Sequence, residues 1–410
     1  MNPFALVITL ALVTEYSIQL VGDLLNLRSL SPELPEEFSG TYDDAKYARS
    51  QEYTRATTRL GLLRSTFDLA LILAFWWSGG FTWLDALVRG FEQGPIVTGL
   101  AFMMILVLGL KLLSLPFQLY STFVVEERFG FNRTSVGTFW ADQVKGLVLG
   151  GILGGALMAA VLFFFLRTGE SAWLWCWATT TVFALVALFV APTWIMPLFN
   201  KFTRLDEGEL REAILRYAER VSFPLEGLFV IDGSRRSSKG NAFFTGFGKT
   251  KRIALYDTLI EGQTTGELVA VVAHEIGHYK RKHILKSLVI GVLHFGVLFF
   301  LLSRFLESQP LFDAFGVAEP SVHAGLVFFG LLFTPIEMVL SFAMNAFARK
   351  NELEADEFAA RTTGEPEHLV AALKKLSSEN LANLTPHPFY VRLHYSHPPV
   401  LQRIAALRAH

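Results

Sequence analysis

Seven long apolar runs pattern the chain, near residues 3–22, 65–84, 96–118, 146–166, 172–195, 284–303 and 323–343. Each approaches the roughly 20 residues that a helix needs to cross a bilayer, so the pattern predicts seven membrane-spanning helices. Glu15 and Asp68 interrupt the first two, and the fifth can extend to Phe199 past Pro192 and Pro197. Polar sequence gathers at 196–283 and at 344–410, and these are the segments left to build a lobe outside the bilayer. The expected division is therefore 1–195 for five spans with their loops, 196–283 for a lobe, 284–343 for two further spans, and 344–410 for the rest of the lobe. The first run lacks a basic leader and reads as a retained span.

Within 196–283 the periodicity changes twice. Glu207 to Val221 reads as an amphipathic helix, and Gly227–Asp232 as a strand. Asn241–Phe244 and Arg252–Tyr256 read as two more strands joined by a glycine-containing turn at 246–250. Thr264 followed by Glu267 then opens a helix that meets no proline and is expected to continue into the sixth span.

Composition agrees with a membrane protein, since 52% of the 410 residues are hydrophobic, only 18% are charged, and mean hydropathy is +0.39. About 31 of the 36 Lys and Arg fall in the loops 23–64, 119–145, 196–283 and 344–410; the opposite loops hold Arg89, Arg167 and Arg304. Positive charge stays cytoplasmic, which puts the polar segments and the C-terminus inside the cell. A net charge of −1 offers no broad basic surface to nucleic acid. The single cysteine, Cys176, excludes both an intrachain disulfide and a cysteine-rich zinc site. Any metal must then be held by histidines and carboxylates.

Such a site is written at His274-Glu275-Ile276-Gly277-His278. Two histidines four apart share one helix face and can hold one Zn²⁺, and the adjacent glutamate can take a proton from a water there. A third protein ligand is still needed. The metzincin arrangement is excluded, because its Gly and His positions hold Arg281 and Ile284. The best candidates follow span seven, in Arg349–Glu357. Glu352 and Asp356 are four apart, so Glu352 can bind the metal while Asp356 accepts the free N–H of a ligand histidine. Both motifs lie a few residues from the ends of spans that emerge on the same side, which lets them meet at the membrane surface. Glu354 and Glu357 read as a solvated face of that helix.

These residues resemble the type I CAAX prenyl endopeptidases, integral-membrane zinc metalloproteases. The likeness runs through HEIGH at 274–278, ELEAD at 352–356, Ser396-His-Pro-Pro399 with Arg403, Pro197–Phe202, and Asp232–Ser238 with Asn241-Ala-Phe243. It implies a mainly α fold of seven tilted helices around a large water-filled chamber, closed by a cytoplasmic-side lobe with a small β-sheet. It implies one Zn²⁺ per chain on His274, His278 and Glu352. Glu275 would act as general base, assisted by Asp356 and His397, and Asn241, Ala242, Phe243, His397 and Arg403 would hold an extended peptide. The substrate implied is a protein or peptide, prenylated near its C-terminus.

A second expectation keeps this chemistry but makes the chain a quality-control peptidase without a prenyl requirement. A third, a seven-span transporter or receptor, leaves Glu275 and His397 without a task. A bacterial inner membrane is expected ahead of the endoplasmic reticulum. Among the remaining polar residues, Glu15, Lys111, Lys286 and Glu337 sit in or near spans, where charge tends to face a cavity or a partner, though a long lysine can equally reach the interface. His294 and His323 read as packing or interfacial residues, and Ser234 and Ser237 lack the partners of a serine nucleophile.

Overall fold

The computed structural model describes residues 2–245 and 251–409, so the expected turn at 246–250 lies outside the described residues. Seven helices are long and apolar enough to cross a membrane: Pro3–Arg28, Asp44–Trp77, Pro95–Glu126, Val136–Arg167, Gly169–Leu198, His283–Phe305 and Val322–Thr363. Their ends are built locally. Asn2 accepts from the Phe4 N–H at 2.8 Å ahead of Pro3, Asp43 accepts from the Lys46 N–H at 2.6 Å, and Ser321 caps the last helix. That helix runs 42 residues and stops at Gly364, which takes the left-handed φ of 75°.

Several helices exceed the apolar runs because a helix does not end where the bilayer does. The second helix starts 21 residues before the expected span and ends at Trp77, short of the expected Leu84. Gly79, at φ 81°, breaks it, and a separate helix, Gly80–Arg89, follows. Phe81, Leu84, Phe312, Phe315 and Phe328 pack together near this turn. There His323 bonds Asp85 at 2.9 Å and Arg89 bonds the same carboxylate at 2.7 Å. At most 17% of the most apolar stretch of any span is buried. Spans four to seven pack on one another through Val161, Cys176, Phe299, Leu302, Phe329 and Phe333, and an 890 Å³ cavity lined by Phe75, Leu106, Lys111 and Leu331 lies between the second, third and seventh.

The lobe carries a four-stranded sheet of β1 (Phe202–Arg204), β2 (Leu225–Ile231), β3 (Ala242–Thr245) and β4 (Lys251–Tyr256), in the order β1-β2-β4-β3. β2 and β4 are parallel, and β1 and β3 flank them antiparallel, which leaves β3 at one edge. Three of the strands match expectation within two residues, whereas the three-residue β1 was not anticipated. The lobe core joins Ile214, Leu228, Ile253, Val272, Leu373 and Ile404. It also takes in Phe38, Tyr42 and Tyr47. The lobe therefore recruits the segment before span two, beyond the two polar stretches expected to form it, because these aromatics bury apolar area that the loop alone cannot cover.

The helix bearing the two histidines, Thr265–Lys280, begins with a reciprocal cap: the Thr264 N–H donates to Glu267 Oε2 at 2.7 Å, and Thr264 Oγ1 accepts from the Glu267 N–H. It does not continue into span six. Lys282 adopts φ 59°, and a new helix starts at His283. No glycine or proline marks the break; the chain turns there so that span six can enter the membrane while the first helix stays in the lobe. That helix crosses the seventh-span helix at Gly277, where an added Cβ would stand 3.1 Å from both the Cα and the carbonyl oxygen of Ala355. Gly277→Val forces these backbones apart. The expected result is a loss of about 1–3 kcal/mol of stability together with loss of metal binding, checked by thermal unfolding in detergent and by metal analysis of the purified protein.

Candidate metal centre

Four turns of the lobe helix place His274 and His278 on the face turned toward the seventh-span helix, and Glu352 projects from that helix between them. His274 Nε2 and His278 Nε2 are 3.1 Å apart. Glu352 Oε1 lies 3.2 Å from the second and Oε2 3.4 Å from the first. One donor atom from each residue lies within 4.8 Å of the others. Donors about 2.0 Å from a tetrahedral ion stand about 3.3 Å from one another, so the spacing suits zinc. Glu352 Oε2 is buried and has no hydrogen-bond partner. A buried carboxylate oxygen left in that state is costly unless a cation satisfies it.

Behind the triad, each histidine is held by a second group. His274 Nδ1 meets Asp356 Oδ1 at 2.8 Å, and Arg403 grips both Asp356 oxygens at 2.8 and 2.7 Å. Asp356 is 1% exposed, so this fork supplies the positive charge that its burial requires. Burial alone would lower the His274 pKa, but hydrogen bonds to Asp356 and Glu352 outweigh it and raise it to about 9. His278 Nδ1 meets His283 Nδ1 at 3.1 Å, and His283 Nε2 meets Glu354 Oε2 at 3.1 Å.

His283 and Glu354 escaped the sequence analysis. Glu354 is not the solvated residue expected; it faces His283, with Lys286 and Lys350 each 3.8 Å from its carboxylate. The available signal was a third histidine five positions after His278, but a continuous helix would have turned it away. Glu357 does pair at the surface with Arg281 and Arg361.

Glu275 sits beside the triad, half-buried, and lines cavities of 220 Å³ and 620 Å³ on either side. Burial pushes its pKa above the ordinary carboxylate value, and the nearby imidazoles of His274 and His278 pull the other way. His397 approaches from the C-terminal segment, with Nε2 3.3 Å from Glu352 Oε1 and Nδ1 3.0 Å from Ser396 Oγ. Arg403, expected at the substrate, lines the smaller cavity and also forks onto Asp356; its nearest approach to Glu352 is 3.7 Å.

Asn241 and Ala242 line the smaller cavity, and Phe243 and Phe244 the larger. The Asn241 carbonyl accepts from the Tyr256 N–H at 3.0 Å, toward β4. Planarity of the peptide then turns the Ala242 N–H to the free edge, where Asn241 Oδ1 accepts from it at 2.8 Å. The edge donor thus carries its own removable cover. Away from this region, His294 faces Glu337 at 2.8 Å, His387 caps the helix Pro388–His394, and Ser234 bonds Asp257 at the surface.

Comparison with known proteins follows the same residues. Residues 23–201 match the family described as CAAX prenyl protease N-terminal, five membrane helices, and residues 178–410 match peptidase family M48. The chain belongs to peptidase family M48. Among its M48 relatives, the CAAX prenyl protease 1 homolog of Arabidopsis thaliana is 36% identical, covering 99% of this chain and 97% of that one. CAAX prenyl protease 1 of Saccharomyces cerevisiae is 33% identical, covering 99% and 95%. The crystal structure of S. mikatae Ste24p superposes with a TM-score of 0.94 at 31% identity, covering 99% of both chains. The chain is a membrane-embedded metalloendopeptidase with several spans.

Two expectations follow for metal binding to this M48 chain. A proton must leave His274 before a metal can bind, and its pKa near 9 sets where that competition begins. Apparent affinity should hold above pH 9 and weaken about tenfold per unit below it, measured by competition with a chelator; constant affinity from pH 9 to 7 contradicts the assignment. His283→Ala should weaken metal affinity by about 10–100-fold, read by the same titration.

Proposed function

We propose that this metallopeptidase carries one zinc per chain on His274, His278 and Glu352 and cuts prenylated substrates near their C-termini. The observation that carries the reading is the convergence of the three donors around a buried Glu352 oxygen that makes no hydrogen bond. Zinc bound there would lower the pKa of a water toward neutrality and polarise the scissile carbonyl.

The chain's own groups supply the rest. Glu275 takes the proton from the attacking water and delivers it to the departing amine. Its raised pKa suits a group that must both accept and return a proton. Asp356 holds the proton of His274 on Nδ1 and leaves Nε2 free to bind metal, and Arg403 holds Asp356 in place. His397, exposed at the mouth, donates to the oxyanion as it forms. An extended peptide pairs along β3 once the Asn241 side chain yields the Ala242 N–H.

Prenyl recognition is supported by the relatives' names and by the 620 Å³ cavity, whose walls include Leu188, Phe243, Phe244, Ile284 and Leu288. Leu188 and Leu288 belong to membrane helices, so this side of the site offers an isoprenoid chain an apolar surface continuous with the spans. The same names weigh against quality control without a prenyl requirement. The distribution of Lys and Arg supports a lobe on the cytoplasmic side, and we assign the lobe to 196–283 and 344–410 together with the segment around Tyr47.

Two measurements test the reading. Glu275→Gln should lower kcat on the order of 10³-fold while zinc analysis still finds one ion per chain; retained turnover removes Glu275 from its role. A farnesylated peptide should be cleaved with kcat/KM at least about tenfold above its plain twin, and equal values would leave a metallopeptidase without prenyl selectivity.

A further inference from the structure

Outside the metal centre, a group of charged and aromatic side chains ties the membrane spans to the entrance of β3. Lys239 lies three residues before Ala242. Its ammonium donates to Tyr53 Oη at 2.7 Å and to Glu126 Oε2 at 3.0 Å. It also stands 4.9 Å from the ring centre of Tyr53 and 4.3 Å from that of Phe131. Tyr53 belongs to the second-span helix, and Glu126 closes the third. The preceding residues repeat the attachment: the Ser238 N–H donates to the Phe131 carbonyl at 3.2 Å, and Arg236 forks onto Asp142 at 2.8 and 3.0 Å.

The opposite side is equally closed. A Cβ at Gly240 would lie 3.3 Å from Leu259 Cα, so the chain leaving Lys239 runs directly against the lobe. Only Gly240 and Asn241 separate the clamp from the strand.

We propose that Lys239 is a positioning residue of the peptidase reaction: held between the second and third spans, it sets where the free edge of β3 stands relative to the metal ligands. The proposal rests on the reading that substrate pairs with β3. An exposed ion pair contributes little, but an ammonium shared by two oxygens and two aromatic faces is a stronger anchor. The two-residue leash turns any slip of Lys239 into a shift of the strand. The helix carrying His274, Glu275 and His278 is fixed separately by the lobe core. Loss of the clamp therefore weakens peptide binding and spares proton transfer, which appears in KM and not in kcat.

The test uses the full chain in detergent and an internally quenched farnesylated peptide. Lys239→Met keeps the bulk of the side chain and removes the charge; it should raise KM about tenfold with kcat within about twofold and zinc content unchanged. Glu126→Gln should act in the same direction, with the double variant little worse than either single one. Lys239→Arg should recover most of the lost KM. An unchanged KM in Lys239→Met, a fall in kcat that tracks lost zinc, or a failure of arginine to rescue overturns the proposal. Peptides methylated on the amides flanking the scissile bond separate the two layers of the argument. If wild-type KM ignores methylation, strand pairing and the clamp fall together. If it responds to methylation but not to Lys239→Met, the clamp alone falls.

Discussion

The approach of two backbones at Gly277 and Ala355 controls the metal centre. Glutamate reaches only a few ångströms from its helix, and so does histidine. Three short arms from two helices can converge on one ion only if the helix axes lie unusually close. A glycine on one side and an alanine on the other make that possible, and the surrounding residues consolidate it. Asp356 and Arg403 secure one histidine, His283 and Glu354 the other. The triad is thus set into a rigid crossing and is not suspended from loops, which is the arrangement that keeps metal sites within a few tenths of an ångström of their working geometry.

The lobe is no independent globule resting on a membrane domain. Its core includes Phe38 and Tyr42 from the segment ahead of the second-span helix and Tyr47 from that helix's first turn, and one of its three candidate metal ligands, Glu352, comes from the seventh-span helix. The spans leave most of their most apolar stretches at the surface. Apolar packing is shared among the lobe core, the aromatic cluster around Phe81, Phe315 and Phe328, and the contact of spans four to seven around Cys176 and Phe299.

Much of this was legible in the residue order. A bilayer imposes length and apolarity, so the spans could be read from runs. The i, i+4 relations of His274 with His278 and of Glu352 with Asp356 follow from helix periodicity alone. What stayed hidden depends on tertiary contacts. Lys282 carries no turn chemistry, so the break that brings His283 back to His278 had no local signature. Glu354 resembled any acidic residue on a helix surface until that break placed a histidine before it. β1 is three residues long and exists through its pairing with β2. Arg403 was recognised, but its engagement with a carboxylate 47 positions earlier was beyond what spacing can tell.

The chain order of the metal ligands has a consequence for biosynthesis. His278 and Glu352 are separated by the whole of the sixth and seventh spans, and Arg403, which neutralises Asp356, comes later still. A ribosome delivers the two histidines well before their carboxylate partner. While those spans are being threaded into the bilayer, the nascent chain holds two of the three proposed ligands and lacks the fold that would join them. On the proposed ligand set, hydrolytic competence waits until Glu352 has been made, so a copy shorter than that is a poor hazard to the proteins around it.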